Sequence, residues 1–357
     1  MATLVVTTQG AYVRCAGGQI VVEKERMVIH RLPLNQVERV LLLGGIGLST
    51  GFLQFALSQR IPVTFLSQDG QYKGRLDPGG RRDVTLRLAQ VKRLEDLSWR
   101  CAISAAIVRA KIAGQRSLLQ RRCRNRPQPE LQAAAQVLKE IAEQVSDSLS
   151  LPRLMGLEGQ AARAYFRVLP LTLRHALPFH GRSRRPPKDP VNALLSLGYG
   201  LLTAEILGAL TGVGLDPQIG IFHSTRGRMP ALAEDLLELF RAPVADALAL
   251  SLVNLEILRE NDFTKTEEGG VNLSKPALEV YFRQYRRRMQ ASFRDRKGEV
   301  TSFRRALQAQ AGHLRRVILH KEAYEPFIPP LGGPDRDFCR RPIRANLPSG
   351  QKQQRSG

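Results

Sequence analysis

One carboxylate, Glu158, lies within an otherwise apolar helical stripe. Apolar residues recur at the i, i+3, i+4 spacing of a helix that faces a protein core, and the stripe is formed by Leu154, Leu157, Ala161, Ala162, Tyr165 and Leu169. Removing a carboxylate from water costs roughly several kcal/mol unless a cation compensates it. Glu158 therefore requires a metal ion or a buried arginine as partner, unless this edge of the helix faces solvent.

A second group of candidate ligands follows residue 218. His223 ends a short apolar run, and Pro230 can start a helix in which Asp235 and Glu238 lie three residues apart. Side chains at this spacing project from the same face. Each part alone has a simpler explanation, because a single histidine is often a hydrogen-bonded core residue and paired acids often form a solvated helix face.

Considered together, these residues favour a metal site. Carboxylate and imidazole ligands without a thiolate suit Mg²⁺ or Mn²⁺ better than structural zinc. A hard divalent ion beside a phosphodiester can polarise it and activate a hydroxyl as nucleophile. The sequence thus indicates chemistry on a phosphodiester.

The charge of the chain points to a polyanionic partner. Its 357 residues carry 54 Lys and Arg against 32 Asp and Glu, a formal net charge of +22. Residues 1–80 contribute only +3 of this and the remainder +19. This positive charge is larger than that of a typical enzyme acting on small molecules. We expect the residues that bind the polyanion to lie after residue 80.

The cysteines and the N-terminus predict a cytoplasmic protein. The cysteines form no CxxC pair and are far apart, at Cys15, Cys101, Cys123 and Cys339. This spacing favours neither a zinc site nor a disulfide framework. The first residues have no basic region followed by an apolar core, so we expect no signal peptide. Residues 191–215 are apolar enough to span a bilayer, but five glycines, Asn192 and Glu205 favour a buried central segment.

The predicted fold class is α+β. Residues 1–80 are expected to form a small, mostly antiparallel β domain, with a helix from Ser49 to Ser58 and strand-like runs at 4–7, 12–15, 19–22, 27–30, 37–43 and 62–66. Residues 44–51 imitate a dinucleotide-binding turn, but a displaced third glycine favours a simple strand-to-helix turn.

Residues 81–330 are predicted to form a larger α-helical domain, beginning with one long helix from about 82 to 120. Loops are expected at 125–130, 183–190 and 265–274. Residues 331–357 lack apolar periodicity, and we expect a basic, disordered tail.

One long block resembles a known family. Residues 184–199, RRPPKDPVNALLSLGY, are similar to the RRPPxDPxNALLSxGY signature of the CRISPR-associated spacer-acquisition integrase, the "Cas-one" family. Further similar blocks follow the family order: a GxEGxAAxxYF helix with Glu158, an isolated His223 before a basic turn, and a DLxExFR helix with Asp235 and Glu238. The resemblance extends over roughly residues 1–325.

The resemblance implies a β domain joined to an α-helical catalytic domain with one metal site for Mg²⁺ or Mn²⁺. By matching blocks, the catalytic metal ligands are Glu158, His223 and Glu238, although some members have Asp in place of Glu238. Asp235 matches an acidic position that assists the metal or the DNA. Tyr199 matches an aromatic residue near the site and Asn192 a support of the local fold, although simple helix packing explains both as well.

The implied reaction is metal-dependent DNA cleavage and insertion of short DNA (spacers) into a CRISPR repeat array, by attack of a 3′-hydroxyl on a phosphodiester. Basic residues would hold phosphates near the metal or track the duplex further away, although solubility or generic phosphate contact is the better explanation of each one taken alone. The residues near the metal are Arg182, Arg184, Arg185, Lys188, Arg226 and Arg228, and those further away are Arg286, Arg287 and Arg288.

The implied partners are duplex, branched and repeat-array DNA, a second copy bound through the N-terminal domain, and a small subunit of the adaptation complex. No membrane partner is expected. Two other functions stay open at this point: a non-catalytic basic DNA-binding scaffold, and a general structure-specific nuclease unrelated to CRISPR.

Overall fold

The structure, a computed structural model, describes residues 2–78, 83–174, 177–179, 181–183, 186–223, 229–320 and 322–330. The described N-terminal part contains strands and one helix, α1 (Thr50–Ser58). The strands are β1 (Ala2–Val6), β2 (Tyr12–Ala16), β3 (Gln19–Lys24), β4 (Met27–Pro33), β5 (Val37–Leu43), β6 (Gly47–Leu48), β7 (Val63–Leu66) and β8 (Tyr72–Leu76). All the expected runs form strands, whereas β6 and β8 were not expected.

These strands form two four-stranded sheets, in the orders β1-β5-β7-β8 and β4-β3-β2-β6. The sheets are mixed rather than mostly antiparallel. Strands β1 and β7 pair in parallel with β5, and β2 pairs in parallel with β6, while the β2–β3, β3–β4 and β7–β8 pairs are antiparallel. The β5–β7 pair is parallel because the connection between these strands contains α1, and a helical crossover returns the chain in the same direction, whereas a hairpin reverses it.

The β1-β5-β7-β8 sheet serves two cores. Val40 and Leu42 of β5 face the core of the N-terminal part, and Leu41 and Leu43 belong to the large core of the helices. Successive side chains of a strand point to opposite faces, so an unbroken apolar run such as Val40–Leu43 fits a strand covered on both sides. The sheet is thereby packed against the helical part.

The turn before α1 has the predicted structure. Gly44 has a φ of +84°, a value that favours glycine, and the Ser49 hydroxyl accepts a hydrogen bond from the Phe52 amide at 3.0 Å. Phe52 and Ala56 are fully buried on the inner face of the helix. The glycine-rich segment is thus a capped strand-to-helix turn.

Helices dominate after residue 83, which confirms the α+β class. They are α2 (Val84–Glu95), α3 (Leu97–Asn125), α4 (Pro129–Gln144), α5 (Leu151–Val168), α6 (Pro190–Gly212), α7 (Ala231–Phe240), α8 (Ala247–Asn254), α9 (Lys275–Gln290) and α10 (Phe303–His320). The expectation of one helix over 82–120 is wrong. Asp96 divides it, because its carboxylate accepts a hydrogen bond from the Trp99 amide at 3.0 Å and caps a new helix.

Two short hairpins flank α9: β9 (Phe263–Lys265) with β10 (Val271–Leu273), and β11 (Ser292–Arg294) with β12 (Val300–Ser302). The predicted loop at 265–274 is therefore mostly the turn and second strand of a hairpin. Ser274 caps α9 as expected, accepting a hydrogen bond from the Ala277 amide at 3.4 Å.

Helix α6 lies at the centre of the helical part. It is long and apolar enough to cross a membrane, yet 78% of its most apolar window is buried inside the protein, as expected for a central segment. Its glycines permit close packing: a Cβ at Gly200 would lie 1.7 Å from the Gly70 carbonyl oxygen. A Cβ at Gly198 would likewise lie 2.6 Å from the Tyr281 hydroxyl oxygen. The backbone of the N-terminal part therefore rests directly on α6.

A π-helical turn, Arg241–Asp246, joins α7 to α8. The Ala247 amide donates to the Ala242 carbonyl, five residues earlier. Pro243 explains this irregularity, because it has no N–H and its ring would clash with the carbonyl four residues before it in an α-helix. Such turns are frequent at functional sites.

Candidate metal and DNA-processing site

Glu158 lies at the edge of the buried stripe of α5. Leu154, Leu157 and Ala161 are buried as expected, and the Glu158 side chain keeps 23% of its surface exposed. The carboxylate is thus mostly removed from water and needs a positive partner.

That partner is Lys111, a residue of α3 that is only 7% exposed. Its ammonium contacts the Glu158 carboxylate and lies 2.6 Å from Oε2 of Glu238. One lysine therefore links the two carboxylates. The cation predicted for Glu158 is a lysine in this structure, rather than the arginine or metal ion considered from the sequence.

Glu238 is almost fully buried on α7, with 3% of its side chain exposed. Its Oε1 accepts a hydrogen bond from Arg241 at 2.5 Å. Burial alone would raise the pKa of Glu238, but Arg241 and Lys111 outweigh it and lower the pKa to about 2. The side chain is therefore a carboxylate at neutral pH.

Asp235 holds His223 rather than joining a solvated acidic face. The Asp235 side chain is 1% exposed. Its Oδ2 accepts hydrogen bonds from the amides of Ile221 and Phe222 at 2.7 and 3.1 Å, and its Oδ1 lies 2.8 Å from Nδ1 of His223. Burial would lower the pKa of His223, but this hydrogen bond and the charges of Asp235 and Glu238 raise it. Asp235 thus fixes the ring orientation of His223.

The predicted ligands fit a divalent ion in their chemistry. Oε2 of Glu238 is buried and lies in ion-pair contact with the Lys111 ammonium at 2.6 Å. Since Nδ1 of His223 is engaged by Asp235, Nε2 is the nitrogen that can bind a metal. Within the described ranges, however, no three His, Cys, Asp or Glu side chains are close enough to hold an ion together. The Lys111 ammonium lies between two of them instead.

Tyr199 belongs to a buried cluster beside this site. Its hydroxyl donates to Oδ1 of Asp246 at 2.6 Å, and the hydroxyl of Tyr165 donates to Oδ2 at 2.9 Å. The guanidinium groups of Arg182 and Arg241 lie 5.2 and 5.0 Å from the centroid of the Tyr199 ring. Burial raises the pKa of Asp246 to about 6, against the hydrogen bonds from both tyrosines. Through Arg241, this cluster contacts Glu238.

Asn192 connects residues 181–183 to α6. It is fully buried. Its amide nitrogen donates to the Gly181 carbonyl and to Asp189, and its carbonyl oxygen accepts from Arg182 and from the Ser183 amide, all within 2.6–3.0 Å. Asn192 is thus a structural residue that fixes the entry to α6.

The basic residues predicted to bind DNA have different environments. Lys188 and Arg286 are exposed and Arg287 is half-buried. Arg182 donates to Asn192 and Ser196, which fixes it against the protein. Four further candidates lie outside the described residues: Arg184, Arg185, Arg226 and Arg228.

The prediction that Arg288 tracks a duplex is wrong. Its side chain is fully buried, its guanidinium donates to the Pro243 carbonyl at 2.5 and 3.0 Å, and it lies 5.4 Å from the centroid of the Phe303 ring. Arg288 lies on the side of the amphipathic helix α9 that packs against the protein core, and no phosphate can reach it there. Arg288 supports the π-helical turn instead.

Sequence reasoning missed two charged residues of the site. Lys111 is a charged residue within the apolar stripe of α3, four residues after Ile107 and three after Val108. Like Glu158, it is a charge at a core-facing helix position and requires an oppositely charged partner. Asp246 is an isolated carboxylate in the apolar run 242–254. Both could have been found by testing every charge on a core-facing position.

Comparisons with known proteins identify the family of this chain. The family model of CRISPR associated protein Cas1 matches residues 4–287. A CRISPR-associated exonuclease Cas4/endonuclease Cas1 fusion from Geobacter sulfurreducens is 36% identical over 336 residues, which are 91% of this chain and 60% of the fusion protein. A CRISPR-associated endonuclease Cas1 from Chlorobaculum tepidum is 33% identical over 295 residues, 81% of this chain and 86% of that protein.

Solved structures share the fold. A Cas6-RT-Cas1–Cas2 complex contains a chain that matches with a TM-score of 0.81 and 26% identity, over 93% of this chain and 36% of that one. A Cas1 protein from Thermotoga maritima matches with a TM-score of 0.78 and 24% identity, over 91% of this chain and 99% of that protein. A casposase bound to integration product matches with a TM-score of 0.76 and 21% identity, over 91% and 95%. This chain therefore belongs to the Cas1 family of CRISPR-associated proteins.

Proposed function

We propose that this Cas1 family member is a DNA endonuclease and integrase that inserts short foreign DNA into a CRISPR repeat array. The chain spans 86% of a relative named as a Cas1 endonuclease, and it shares its fold with a casposase bound to an integration product. The observation that carries the proposal is the convergence of Glu158 and Glu238 on one buried lysine, with His223 held by Asp235. Buried charges contribute little net stability, so their presence together favours catalysis.

Glu158, Glu238 and Nε2 of His223 would hold a Mg²⁺ or Mn²⁺ ion. Such an ion would polarise the target phosphodiester and activate the attacking hydroxyl. With Lys111 and Arg241 each carrying one positive charge, the two carboxylates are already balanced. A divalent ion therefore adds positive charge that DNA phosphates can neutralise, which couples metal binding to substrate binding.

In strand transfer, the oxygen of a DNA 3′-hydroxyl forms a bond to the target phosphorus while the phosphorus–oxygen bond within the target strand breaks. The departing 3′-oxygen takes a proton, so one phosphodiester replaces another. In nuclease action, water replaces the attacking hydroxyl. Asp235 orients His223 during these steps, and Arg241 keeps Glu238 ionised.

DNA is held by basic side chains after residue 80. Lys188 and Arg286 are exposed and suited to phosphate contact. Each phosphate neutralised on a duplex adds about 0.9 to the slope of log affinity against log salt. We therefore expect steep salt dependence of DNA binding.

The assembly we propose contains a second copy of the chain and a small partner subunit, in the cytoplasm. A solved complex that contains a similar chain also contains Cas2. The edge strand β4 exposes apolar side chains, with Met27 at 67%, Val28 at 41% and Ile29 at 47% exposed. An exposed apolar edge strand favours pairing with another chain, which supports dimerisation through the N-terminal part.

The test is a strand-transfer assay on a supercoiled repeat-containing plasmid, with purified partner subunit, labelled short duplexes, and Mg²⁺, Mn²⁺ or a chelator. Glu158→Gln and Glu238→Gln should abolish both integration and cleavage, since each removes an anionic ligand. Duplex affinity measured in chelator should change less than about threefold, because these carboxylates do not themselves contact phosphates.

Glu130→Gln is the matched control, because Glu130 is an exposed carboxylate at the start of α4. It should retain wild-type activity. Full integration by Glu158→Gln, or integration that continues in chelator, would overturn the assignment. Integration that is lost while branched-DNA cleavage survives would instead favour a nuclease unrelated to CRISPR.

A further inference from the structure

A cavity of about 390 Å³ lies between the β1-β5-β7-β8 sheet and the helices α6 and α10. It is lined from the sheet side by Arg39, Thr64 and Arg75, and from the helix side by Glu205, Arg304 and Leu307. Its volume is in the range of small-molecule sites. The site proposed above uses none of these residues.

Arg75 is a buried cation without adequate compensation. Its side chain is 9% exposed, and its Nε and Nη1 donate no hydrogen bond within the part of the chain that the structure describes. The nearest carboxylate oxygen, on Asp77, is 3.9 Å from Nε, at the limit of an ion pair. Burial lowers the pKa of Arg75, and it outweighs the opposing effects of Asp77 and Tyr72, while Arg39 lowers the pKa further. A guanidinium in this position is stabilised by an anion.

The other charges of the cavity largely satisfy one another. Glu205 is paired with Arg39 at 2.6 Å and with Arg304 at 3.0 Å. Glu38, at 44% exposed, faces Arg39 at 3.4 Å. The lining holds four arginines, including Arg60, against three acids. Of the two remaining arginines, Arg60 is exposed and forms no ion pair among the described residues, and Arg75 is enclosed and has only the 3.9 Å contact with Asp77.

We propose that this cavity binds a small molecule that carries a phosphate group, of about the size of a mononucleotide. Arg75 lines the cavity, and its guanidinium is a charge-assisted hydrogen-bond donor suited to a phosphate oxygen. Thr64 and Gln308 add hydrogen-bonding side chains, and Pro62, Ala204 and Leu307 provide an apolar wall for the rest of the molecule. A bound phosphate would contact the sheet and α10 at once, and would thereby fix the N-terminal part on the helices.

The test is calorimetric titration of the full chain with inorganic phosphate and with thymidine monophosphate, alongside thermal unfolding in both. We expect one site per chain and a rise in Tm, because a ligand that binds only the folded state stabilises it. Hydrogen exchange of wild-type protein should slow in β7, β8 and the second half of α6 when either ligand is added.

Arg75→Met should weaken phosphate binding about 10- to 100-fold, the effect of losing hydrogen bonds to a charged group. Without ligand this variant should unfold at the same temperature as wild type or higher, since it removes an uncompensated buried charge. If Arg75 had a purely structural role, the variant would instead unfold at a lower temperature than wild type. Arg153→Met, at an exposed position of α5 outside the cavity, is the matched control and should bind as wild type does.

Three results would overturn the proposal: unchanged affinity in Arg75→Met, several equivalent phosphate sites on the basic surface, or succinate binding as tightly as phosphate. If Arg75→Met does not fold, the slowing of hydrogen exchange in wild-type protein on addition of ligand shows whether the ligand binds in the cavity. Protection away from the cavity, or none, would refute it. Tighter binding of the nucleotide than of inorganic phosphate would support the mononucleotide size.

Discussion

Replacing Lys111 by methionine separates the role of the lysine from that of the carboxylates it links. Removing one partner of a buried ion pair costs about 3–5 kcal/mol. The lower end applies here, because Glu158 is 23% exposed and can regain water, and Glu238 keeps Arg241 at 2.5 Å. We expect a loss of about 3 kcal/mol, or roughly 6–12 °C in Tm for a domain of this size.

The distinguishing assay is thermal unfolding of Lys111→Met in chelator and in increasing Mg²⁺ or Mn²⁺. Without the ammonium, the two carboxylates lose their internal cation, so a metal ion should bind them more tightly. At a metal concentration about 100 times Kd, binding contributes about 2.7 kcal/mol. Metal should therefore restore most of the lost stability, and it should raise the Tm of the variant more than that of wild type.

Lys139→Met is the matched control, because Lys139 forms only an exposed ion pair with Glu143 at 3.6 Å on α4. Its loss should change stability by less than about 1 kcal/mol, with no dependence on metal. Two outcomes refute the reasoning. Wild-type stability of Lys111→Met in chelator would mean that the lysine does not compensate the carboxylates, and an equal metal shift in both proteins would mean that the metal binds elsewhere.

Three further predictions concern packing and pH. Gly200→Ala should lower the Tm strongly, since its Cβ would lie 1.7 Å from a carbonyl oxygen, whereas Gly208→Ala in the same helix has open space and should raise stability by about 0.5–1 kcal/mol in denaturant titration. Glu238, with its lowered pKa, stabilises the fold above pH 4.5 and loses this contribution as the pH falls towards 2. The stability advantage of wild type over Glu238→Gln should therefore shrink by about 3 kcal/mol across that window, and a constant difference would contradict the pairing with Lys111 and Arg241. Asp246, with a pKa raised by burial to about 6, destabilises the fold as the pH rises from 3.8 to 6. The free energy of unfolding of Asp246→Asn should therefore rise by about 3 kcal/mol relative to that of wild type over this range, as measured by chemical unfolding. A difference between the two proteins that does not change with pH would mean that ionising Asp246 does not destabilise the fold.

Local patterns predicted α1, α5, α7, six of the eight N-terminal strands and several caps. Glu158, Ser49 and Ser274 have the environments expected from spacing and side-chain chemistry alone. These features depend on residues within one or two helical turns, which the sequence displays directly.

The parts that could not be predicted depend on distant contacts. Parallel pairing of β1 and β7 with β5 follows from a crossover whose path the sequence does not specify. The contact of Lys111 with both carboxylates joins three helices far apart in the chain. Arg288 was misassigned because it stands in a run of three arginines, and only the third turns into the core.

The π-helical turn between α7 and α8 makes this segment sensitive to length. A π turn contains one residue more than the α turn it replaces. Deleting one residue between Arg241 and Asp246 while Pro243 remains would force the proline ring into an α-helical turn, where it clashes with the carbonyl four residues earlier and kinks or breaks the helix. Asp246 would then leave Tyr165 and Tyr199, and α8 would present a different face to its neighbours. Natural variation here should therefore preserve the number of residues more strictly than their identities.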